Sequence, residues 1–275
     1  MMKKITLIDG NSILFRAYYA TAYPGATLMQ SQKGVYTNAV FAFASMFEKM
    51  INKDTKNVLV AFDTKEPTKR HLAYEGYKAG RKKMPEELAE QIPYVYDYIR
   101  LLGIKAYSKA GYEADDIIGT LSKQASQKGY QVDIYSSDKD LLQLVDENVT
   151  VHLLKKGMKE VHHFTPKKLI ETYGLTHHQM IDLKALMGDS SDNIPGIPGV
   201  GEKTAIKLLK QYQTLENILQ NQDLIKGKLG ERIREHKDSA LMSKDLVTIQ
   251  LDCHLDYDCD QIEVLEEKTD ELIKR

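Results

Sequence analysis

Residues 3–9 read KKITLID, a short, largely apolar run that ends at a carboxylate, Asp9. Two later stretches have the same form: residues 58–62 (VLVAF) run into Asp63, and residues 132–135 (VDIY) are followed by Asp138. Short β-branched or aromatic runs bounded by polar residues are typical of strands buried in a parallel sheet. These stretches therefore predict the centre of such a sheet, with a carboxylate after each strand.

The order of segments along the chain predicts the fold class. Further strands are favoured at 104–107 and 149–154, and helical spacing occurs at 11–19, 35–51, 86–102 and 114–128. Strands that alternate with helices indicate an α/β fold, with a mostly parallel central sheet flanked by helices. Beyond about residue 175 the strand pattern stops, and short helices broken at 196–201, 226–228 and 229–230 are expected. We predict an α/β core over 1–175 and a helical region over 176–275.

Composition limits the class of protein. Of the 275 residues, 42% are hydrophobic and 28% are charged, an ordinary balance for a folded domain. No apolar run is long enough for a signal peptide or for a membrane span. Because the chain has two cysteines, Cys253 and Cys259, no disulfide framework is expected, which favours a reducing cytoplasm. We also expect a monomer that does not associate with membranes.

The net charge of −1 conceals a segregation of charge along the chain. Between residues 65 and 83 seven basic residues outnumber two acidic ones, Glu66 and Glu75, so the local balance is about +5. The basic residues are Lys65, Lys69, Arg70, Lys78, Arg81, Lys82 and Lys83. Such a patch attracts phosphates. A solvated loop is the simpler alternative if no acidic site lies nearby.

Carboxylates gather around the predicted ends of the strands. In an open parallel sheet, ligands bind beyond the carboxyl ends of the strands, so Asp9, Asp63 and Asp138 should converge there. Six more acids occupy motifs that flank helices or follow a strand: Glu113, Asp115, Asp116, Asp140, Asp189 and Asp192. Taken singly, each is explained as simply by helix capping. Taken together, they would repel one another unless cations lay between them.

The donor types predict which cation would bind. Carboxylates without cysteine or well-placed histidine suit Mg²⁺ or Mn²⁺ rather than Zn²⁺. Two such ions about 3.5–4 Å apart can activate water and stabilise the leaving oxygen of a phosphodiester. A zinc site built from His162, His163, His177, His178, Cys253, His254 or Cys259 is disfavoured, because no complete four-ligand spacing occurs.

Five motifs occur in an order that identifies a family. They are LIDGNS (7–12), AFD (61–63), GYEADDIIGT (111–120), SDKDL (137–141) and LMGDSSDNIPGIPGVGEKT (186–204). Over nearly its whole length the chain resembles the flap endonuclease family, which includes the 5′-nuclease domain of bacterial DNA polymerase I. This resemblance implies a 5′→3′ exonuclease or flap endonuclease that acts on DNA with a 5′ end or flap, or on RNA primers within duplexes. The chain would be free-standing or would belong to a larger enzyme with a polymerase.

The resemblance also implies residue roles. Two divalent ions are expected, one near Asp9, Asp63, Glu113 and Asp115, the other near Asp116, Asp138, Asp140, Asp189 and Asp192. Residues 64–83 match the family's basic helical arch, with Lys78 and Arg81 as its active-site cations. Arg16 and Arg70 are further candidates for DNA binding. Aromatic side chains bind strands without reading sequence, so one or more of Tyr18, Tyr19, Tyr36, Tyr74 and Tyr77 would stack on a base, with packing in the core as the simpler alternative for any single tyrosine.

The glycine-rich stretch 196–204 is not a P-loop, because Glu202 precedes the lysine and a helix, not a strand, precedes the loop. It favours a turn whose backbone N–H groups meet a phosphate at a helix N-terminus. Lys203, Lys207 and Lys210 share one helix face. A tight turn with a solvated lysine face is the alternative. The resemblance implies a helix-turn-helix over about 180–213 that binds duplex DNA through Gly199, Gly201, Lys203, Thr204 and Lys207, with K⁺ on its carbonyls.

Three other functions are less compatible with the residues. A haloacid-dehalogenase-type phosphatase needs a second Asp two residues after Asp9, where this chain has Asn11. A non-catalytic DNA-structure binder would be expected to lose metal ligands, and all the matching acids are present. A ribonuclease of the related PIN-like class fits less well, because the basic segment and the predicted helix-turn-helix favour duplex DNA.

Overall fold

A six-stranded sheet forms the centre of the computed structural model, which describes residues 3–51, 55–155 and 160–264. The strands are β1 (Lys4–Asp9), β2 (Val58–Ala61), β3 (Lys105–Tyr107), β4 (Gln131–Ser136), β5 (Val149–Lys155) and β6 (Glu160–Phe164). Their order is β3-β2-β1-β4-β5-β6, and all neighbours are parallel except β5 and β6. The chain thus has the predicted α/β fold with a mostly parallel sheet.

The strand order places a crevice at the carboxyl edge of the sheet. From β1 the chain moves to β2 on one side, and later to β4 on the other side. The connections that follow β1 and β4 therefore run to opposite faces of the sheet, and this opens a gap between the loops after these two strands. Asp9 ends β1, and Asp138 lies two residues beyond β4, so both acids border this gap.

The helices are short, and they cover both faces of the sheet. Six of the described helices lie between β1 and β4 in the sequence: α1 (Gly10–Thr21), α2 (Asn38–Met50), α3 (Lys69–Ala73), α4 (Glu86–Ala89), α5 (Ile92–Leu101) and α6 (Ala114–Gln127). After β6 come α7 (Pro166–Tyr173), α8 (His177–Met187), α9 (Glu202–Tyr212), α10 (Leu215–Gln220), α11 (Gly227–Glu235) and α12 (Lys237–Val247). None of the described helices is long and apolar enough to cross a membrane.

Alternate residues of the central strands belong to two separate cores. Ile5 and Leu7 of β1 pack with α6 and α8, whereas Ile8 packs with α1, α2 and α5. Since successive side chains of a strand point to opposite faces, both faces of β1 are covered, and its buried residues are apolar except for Thr6 and Asp9. The sheet and the helices on its two faces form three layers, and this packing holds the loops at the carboxyl edge of the sheet in place.

Several expectations from the sequence were wrong in detail. The helix expected over 86–102 is two helices, α4 and α5, and α5 begins with Pro93 in its first turn. Strand β6 and helix α7 were not anticipated. The break expected at 229–230 does not occur, because α11 continues through Gly230. There the absence of a side chain lets the helix approach the carbonyl of Ile225.

The basic segment, residues 64–83, is less helical than the expected arch. Helix α3 covers five of its residues, 75–80 form turns, and the remainder has no regular secondary structure. Tyr77 of this segment is 5% exposed and packs with Ile194, Leu246 and Val247. The segment therefore lies against the helical region instead of standing away from the sheet.

Candidate metal-dependent active site

The carboxyl edge of the sheet opens into a cavity of about 670 Å³. Seven acids that the sequence singled out border it: Asp9, Asp63, Glu113, Asp115, Asp138, Asp140 and Asp192. The basic side chains Arg16, Lys78 and Arg81 border it as well. The structure thus brings together acids that are distant in sequence, as expected from their places after β1, β2 and β4.

Asp9 is held rigidly by hydrogen bonds to both of its oxygens. The backbone N–H of Ser12 donates to Oδ1 at 2.9 Å, which caps α1, and Ser136 Oγ donates to Oδ2 at 2.7 Å. Burial raises the pKa of Asp9 to about 7; the two hydrogen bonds oppose this rise, and the charges of Asp63 and Asp138 add to it. Asp9 is therefore fixed in a site where its own negative charge is poorly tolerated.

Asp63 links three elements at the rim of the cavity. It follows β2, it accepts a hydrogen bond from Asn11 Nδ2 at 2.9 Å, and it accepts one from the backbone N–H of Ala114 at 2.8 Å. Ala114 is the first residue of α6, so the carboxylate also faces the positive end of that helix. These contacts orient Asp63 toward the acids on α6.

Asp115 lies where the negative charges are densest. Burial raises its pKa well above the ordinary value, and the charges of four neighbouring acids raise it further. In decreasing order of effect they are Asp9, Asp138, Asp63 and Asp140. Five carboxylates thus act on one another within one cavity.

This donor set fits a hard divalent cation. The cluster offers only carboxylate oxygens, and its members raise one another's pKa, so a bound cation would relieve the repulsion. Across residues 3–51, 55–155 and 160–264, no three Asp, Glu, His or Cys side chains are arranged as a complete metal-ligand set.

Lys184 joins two of the acids and was not found from the sequence. Its ammonium lies 2.6 Å from Asp140 Oδ1 and also contacts Asp189. Burial and the charge of Asp138 raise the pKa of Asp140 to about 7, while Lys184 opposes the rise. At Asp189 burial is outweighed by Lys184 and Ser191, and the pKa is lowered. The position of Lys184 in the last turn of α8, five residues before Asp189, was the available signal.

Asp189 and Asp192 lie in a tight loop after α8. An antiparallel bridge joins Asp189 to Ile194, and the loop closes where Gly188 and Gly196 meet. Both glycines have positive φ, and a side chain at either would collide with backbone of the other strand of the loop. Asp192 points into the main cavity, whereas Asp189 faces a neighbouring one of about 280 Å³.

The predicted catalytic cations are paired with predicted metal ligands. Lys78 Nζ lies 2.9 Å from Glu113 Oε1, and Arg81 Nη2 lies 2.5 Å from Asp192 Oδ1. Between them, Tyr77 Oη donates to Glu113 Oε2 at 3.1 Å. Lys78 has a φ of 57°, in the left-handed region that non-glycine residues rarely adopt. The surrounding contacts hold this lysine over the acids.

Arg16 differs from these two cations. It is half-buried, borders the cavity, and donates to Ser137 Oγ at 3.1 Å. It makes no ion pair with a carboxylate in the part of the chain that the structure describes. Its guanidinium can therefore meet an incoming phosphate without first breaking an ion pair.

A predicted metal ligand, Asp116, and a predicted DNA-binding residue, Arg70, are paired with each other. Asp116 has no exposed surface and does not border the cavity; its oxygens accept hydrogen bonds from Arg70 at 2.7 and 2.8 Å. Arg70 itself is 6% exposed at the back of the cavity. In this arrangement Asp116 contacts Arg70, and Arg70 is one of the residues that line the cavity; metal binding by Asp116 and DNA binding by Arg70 remain predictions.

The predicted helix-turn-helix region consists of α8, the loop 188–201 and α9. Lys203, Lys207 and Lys210 are exposed along α9, and Gly201 is the residue that precedes its first turn. Gly199 has a φ of 76°, and the guanidinium of Arg232 on α11 lies against it. Arg232 adds a cation to this surface that the sequence did not reveal, because α9 and α11 are distant in sequence.

Comparison with known proteins decides the family. Residues 4–174 match the family described as 5′-3′ exonuclease, N-terminal resolvase-like domain, and residues 175–270 match the 5′-3′ exonuclease, C-terminal SAM fold. This chain belongs to the 5′-3′ exonuclease family. The predicted membership in a family of nucleases is thereby confirmed.

Similar proteins include bacterial DNA polymerases I. That of Bacillus subtilis is 48% identical over 263 residues, and that of Bacillus caldotenax is 47% identical over 264 residues. Each alignment covers 95% of this chain but only 29% and 30% of the respective relative. The chain therefore spans less than a third of the length of these relatives.

Solved structures with the same fold include two flap endonucleases. That of bacteriophage T5, in a pseudo-enzyme-product complex with DNA and metal ions, has a TM-score of 0.70 at 20% identity, covering 89% of each chain. Flap endonuclease-1 from Methanococcus jannaschii has a TM-score of 0.61 at 18% identity, covering 99% of this chain and 85% of that one. At these identities the likeness shows the fold.

Proposed function

We propose that this chain is a divalent-metal-dependent nuclease that hydrolyses phosphodiester bonds near the 5′ end of structured DNA, as a 5′→3′ exonuclease and flap endonuclease. The observation that carries the proposal is the convergence of Asp9, Asp63, Asp115, Asp138 and Asp140 on one cavity. Such a group of mutually repelling acids suits cations and, through them, a phosphate backbone.

The acids divide between two proposed metal ions. Asp9, Asp63, Glu113 and Asp115 would hold one, and Asp138, Asp140 and Asp192 would hold the other, with Asp189 linked to that group by Lys184. Mg²⁺ is the expected ion, and Mn²⁺ would substitute because it accepts the same oxygen ligands. When bound, the ions would supply activation of water and stabilisation of the leaving oxygen.

The basic side chains of the cavity would act on the DNA itself. Arg16, which has no carboxylate partner among the described residues, would bind a phosphate near the scissile bond. Lys78 and Arg81 would exchange Glu113 and Asp192 for phosphate oxygens as DNA and metal enter. Cations placed in this way stabilise the charge that develops in the transition state.

The helix-turn-helix would bind the duplex away from the cut. Lys203 and Lys207 are exposed on α9, and Gly199, Gly201 and Thr204 lie in the turn or at the start of that helix. Backbone N–H groups there would meet a phosphate, and K⁺ would bind the carbonyls of the turn. Exposed lysines on one face would follow the phosphate backbone without reading the sequence.

The relatives suggest the cellular setting. The polymerases I carry a matching segment within a longer chain, so this nuclease would be fused to a polymerase or would act beside one in replication and repair, on flaps, nicks and RNA primers. We propose a monomeric cytoplasmic protein, with a nuclease core to about residue 175 and a DNA-binding region after it.

A labelled flap substrate tests the proposal. The protein should cut a 5′-labelled flap duplex at or near the junction in Mg²⁺, and chelation of the metal should abolish cleavage. The matched controls are the same duplex without a 5′ end, closed into a loop, and the Asp115→Asn variant, both of which should remain uncut. Cleavage that persists in chelator, or that is equally fast on the closed substrate, would refute the proposal.

A further inference from the structure

A buried ion pair lies directly behind the carboxylate cluster. Asp116 on the first turn of α6 is fully buried, and Arg70 of the basic segment is 6% exposed. Arg70 Nη1 and Nη2 donate to Asp116 Oδ2 and Oδ1 at 2.8 and 2.7 Å, a two-pronged contact. Charged groups are rarely buried this deeply unless they are paired, and this geometry fits the planar guanidinium.

The remaining hydrogen-bonding capacity of both groups is used by the protein. Arg70 Nε donates to the carbonyl of Leu246, and Nη2 donates to that of Thr248, both at 2.8 Å. Asp116 also accepts hydrogen bonds from the backbone N–H groups of Glu113 at 3.1 Å and Gln250 at 3.0 Å. Each oxygen of Asp116 therefore has two donors, and a metal ion at either oxygen would have to displace one.

These contacts join three parts of the chain at one point. They are the basic segment, the first turn of α6, and the stretch 246–250 that leaves α12. The first turn of α6 carries Glu113 and Asp115, and Arg70 Nη1 also lies 3.7 Å from Glu113 Oε2. Movement of the ion pair would therefore move two of the proposed metal ligands.

We infer that Arg70 and Asp116 are positioning residues for the catalytic acids, and that neither binds metal or DNA directly. The inference rests on the proposed nuclease function, since it assigns a role toward that metal site. Arg70 fixes Asp116, and Asp116 fixes the backbone of Glu113, so that Glu113 and Asp115 face the cavity. Lysine could not replace Arg70, because one ammonium cannot make the same set of four hydrogen bonds.

Two variants test the inference, each with a matched neighbour. Asp116→Asn is compared with Asp115→Asn, one residue away on the same helical turn, by calorimetric titration with Ca²⁺. Arg70→Gln is compared with Arg16→Gln, a half-buried arginine of the same cavity that has no carboxylate partner among the described residues, by flap-DNA binding in Ca²⁺ and by single-turnover cleavage in Mg²⁺. Thermal unfolding of Arg70→Gln, Asp116→Asn and the double variant measures their coupling.

The expected results separate positioning from direct contact. Asp116→Asn should bind Ca²⁺ within about threefold of the wild type, whereas Asp115→Asn should lose at least about tenfold. Arg70→Gln should leave the Kd for DNA within about twofold but slow cleavage at saturating DNA and metal by about tenfold, and Arg70→Lys should not restore the rate. Arg16→Gln should chiefly raise the Kd. Each single variant should lower Tm by about 5–15 °C, and the double variant by much less than the sum.

Different failures point to different errors. Loss of Ca²⁺ binding in Asp116→Asn as complete as in Asp115→Asn, or additive Tm changes, would overturn the inference alone. A wild-type protein that neither binds Ca²⁺ nor cuts flaps in Mg²⁺ would refute the proposed function, and the positioning role with it. If the single variants do not fold, Arg70→Met combined with Asp116→Leu removes both charges at similar volume. This pair should fold and still bind Ca²⁺, while its cleavage at saturating DNA and metal should be slowed at least as much as in Arg70→Gln; cleavage at the wild-type rate would overturn the inference.

Discussion

Asp9 caps a helix and belongs to the carboxylate cluster at the same time. The capping contact with Ser12 holds one oxygen, while Ser136 holds the other. Asp63 similarly faces the first N–H of α6 while it borders the cavity. The two explanations offered by the sequence, a structural cap and a metal ligand, are therefore compatible, because the cap fixes the direction in which the carboxylate points.

Loss of charge at Asp115 should separate chemistry from binding. Asp115→Asn keeps the shape of the side chain but removes a charge that would hold an ion. We expect cleavage to be abolished while flap-DNA binding, measured in Ca²⁺, stays within about tenfold of the wild type. Without metal, the Tm of the variant should equal or exceed that of the wild type, because one of five repelling charges is gone.

Asp238→Asn on α12 is the matched control for this substitution, since Asp238 is exposed and is not among the cavity residues. It should change neither the rate nor the Tm. Cleavage by Asp115→Asn at near the wild-type rate would remove Asp115 from the metal site.

The raised pKa values of the cluster predict how stability depends on pH. Burial raises the pKa of Asp9 from 3.8 to about 7, and burial with the charge of Asp138 does the same for Asp140. A folded-state pKa above the unfolded value means that the folded protein binds more protons, so stability falls as pH rises between these two values. In chelator, Tm should therefore fall from pH 5 to pH 7.5.

A divalent ion should reverse that fall, because it neutralises the same carboxylates. Thermal unfolding at each pH, with chelator and with Ca²⁺, measures the difference. A Tm in chelator that rises steadily from pH 5 to pH 7.5 would contradict the clustering of these acids.

The sequence predicted which acids converge but not which of them are free. The positions of Asp9, Asp63 and Asp138 after β1, β2 and β4 follow from local strand patterns, and these three acids do border one cavity. The partners of Asp116 and Asp140 come from residues 70 and 184, and such ion pairs between distant segments leave no local pattern. Metal binding by these acids remains a prediction.

Helices and strands with a regular spacing of apolar residues were predictable from the sequence. Segments whose conformation depends on contacts with other parts of the chain were not. The central strands and α1, α2 and α6 follow from apolar spacing. Strand β6 lies at the edge of the sheet beside β5, and its sequence, EVHHF, contains no apolar run; of its five residues only Phe164 is buried. The basic segment lacks a clean apolar face, and its conformation depends on contacts of Tyr77 and Lys78 with other parts of the chain.

Helix α9 should contribute affinity for duplex DNA and little to the chemistry. Lys203→Ala and Lys207→Ala remove exposed charges that lie outside the main cavity. We expect weaker binding to duplex-containing substrates and a salt dependence whose slope falls by roughly one for each phosphate that the variant no longer binds. The rate at saturating DNA should change little.

Lys167→Ala on α7 is the control, because this lysine is exposed on a helix outside the helix-turn-helix. Its affinity should match the wild type. If the saturating rate of the α9 variants collapses while their affinity holds, the assignment of α9 to duplex binding is wrong.

At the scale of the whole molecule, the basic segment connects the sheet to the helical region across the mouth of the cavity. It leaves β2 beside Asp63, and the backbone N–H of Lys78 donates to the carbonyl of Asp192 at 2.9 Å. Asn193 Nδ2 donates to the carbonyl of Gly76 at 2.7 Å. A strand that passes between the segment and the acids would have to displace these contacts, and also those of Tyr77, Lys78 and Arg81 with Glu113 and Asp192.

Lys78 and Arg81 should matter more for the rate than for binding. Each already neutralises an acid of the cavity, and each would face the phosphate only when metal and DNA have displaced that contact. Lys78→Ala and Arg81→Ala should each lower single-turnover cleavage by about 10²–10³-fold, the scale for loss of a preorganised charge. Affinity should fall far less, because most phosphate contacts lie elsewhere. Unchanged rates in both variants would exclude the segment from the chemistry.

The position of the segment also predicts that a flap must enter by its free end. A strand that reaches the acids beneath residues 74–81 would have to pass through a closed loop of chain, since the segment continues into the fold on both sides, from β2 and toward α4. A bulky protein bound to the 5′ end of a single-stranded flap should therefore suppress cutting, whereas the same protein added after the flap has bound in Ca²⁺, followed by Mg²⁺, should not. Single-turnover rates on blocked, free and pre-bound flaps measure this order. Equal rates on blocked and free flaps would mean that the segment opens to admit the strand from the side, and obligatory threading would be wrong.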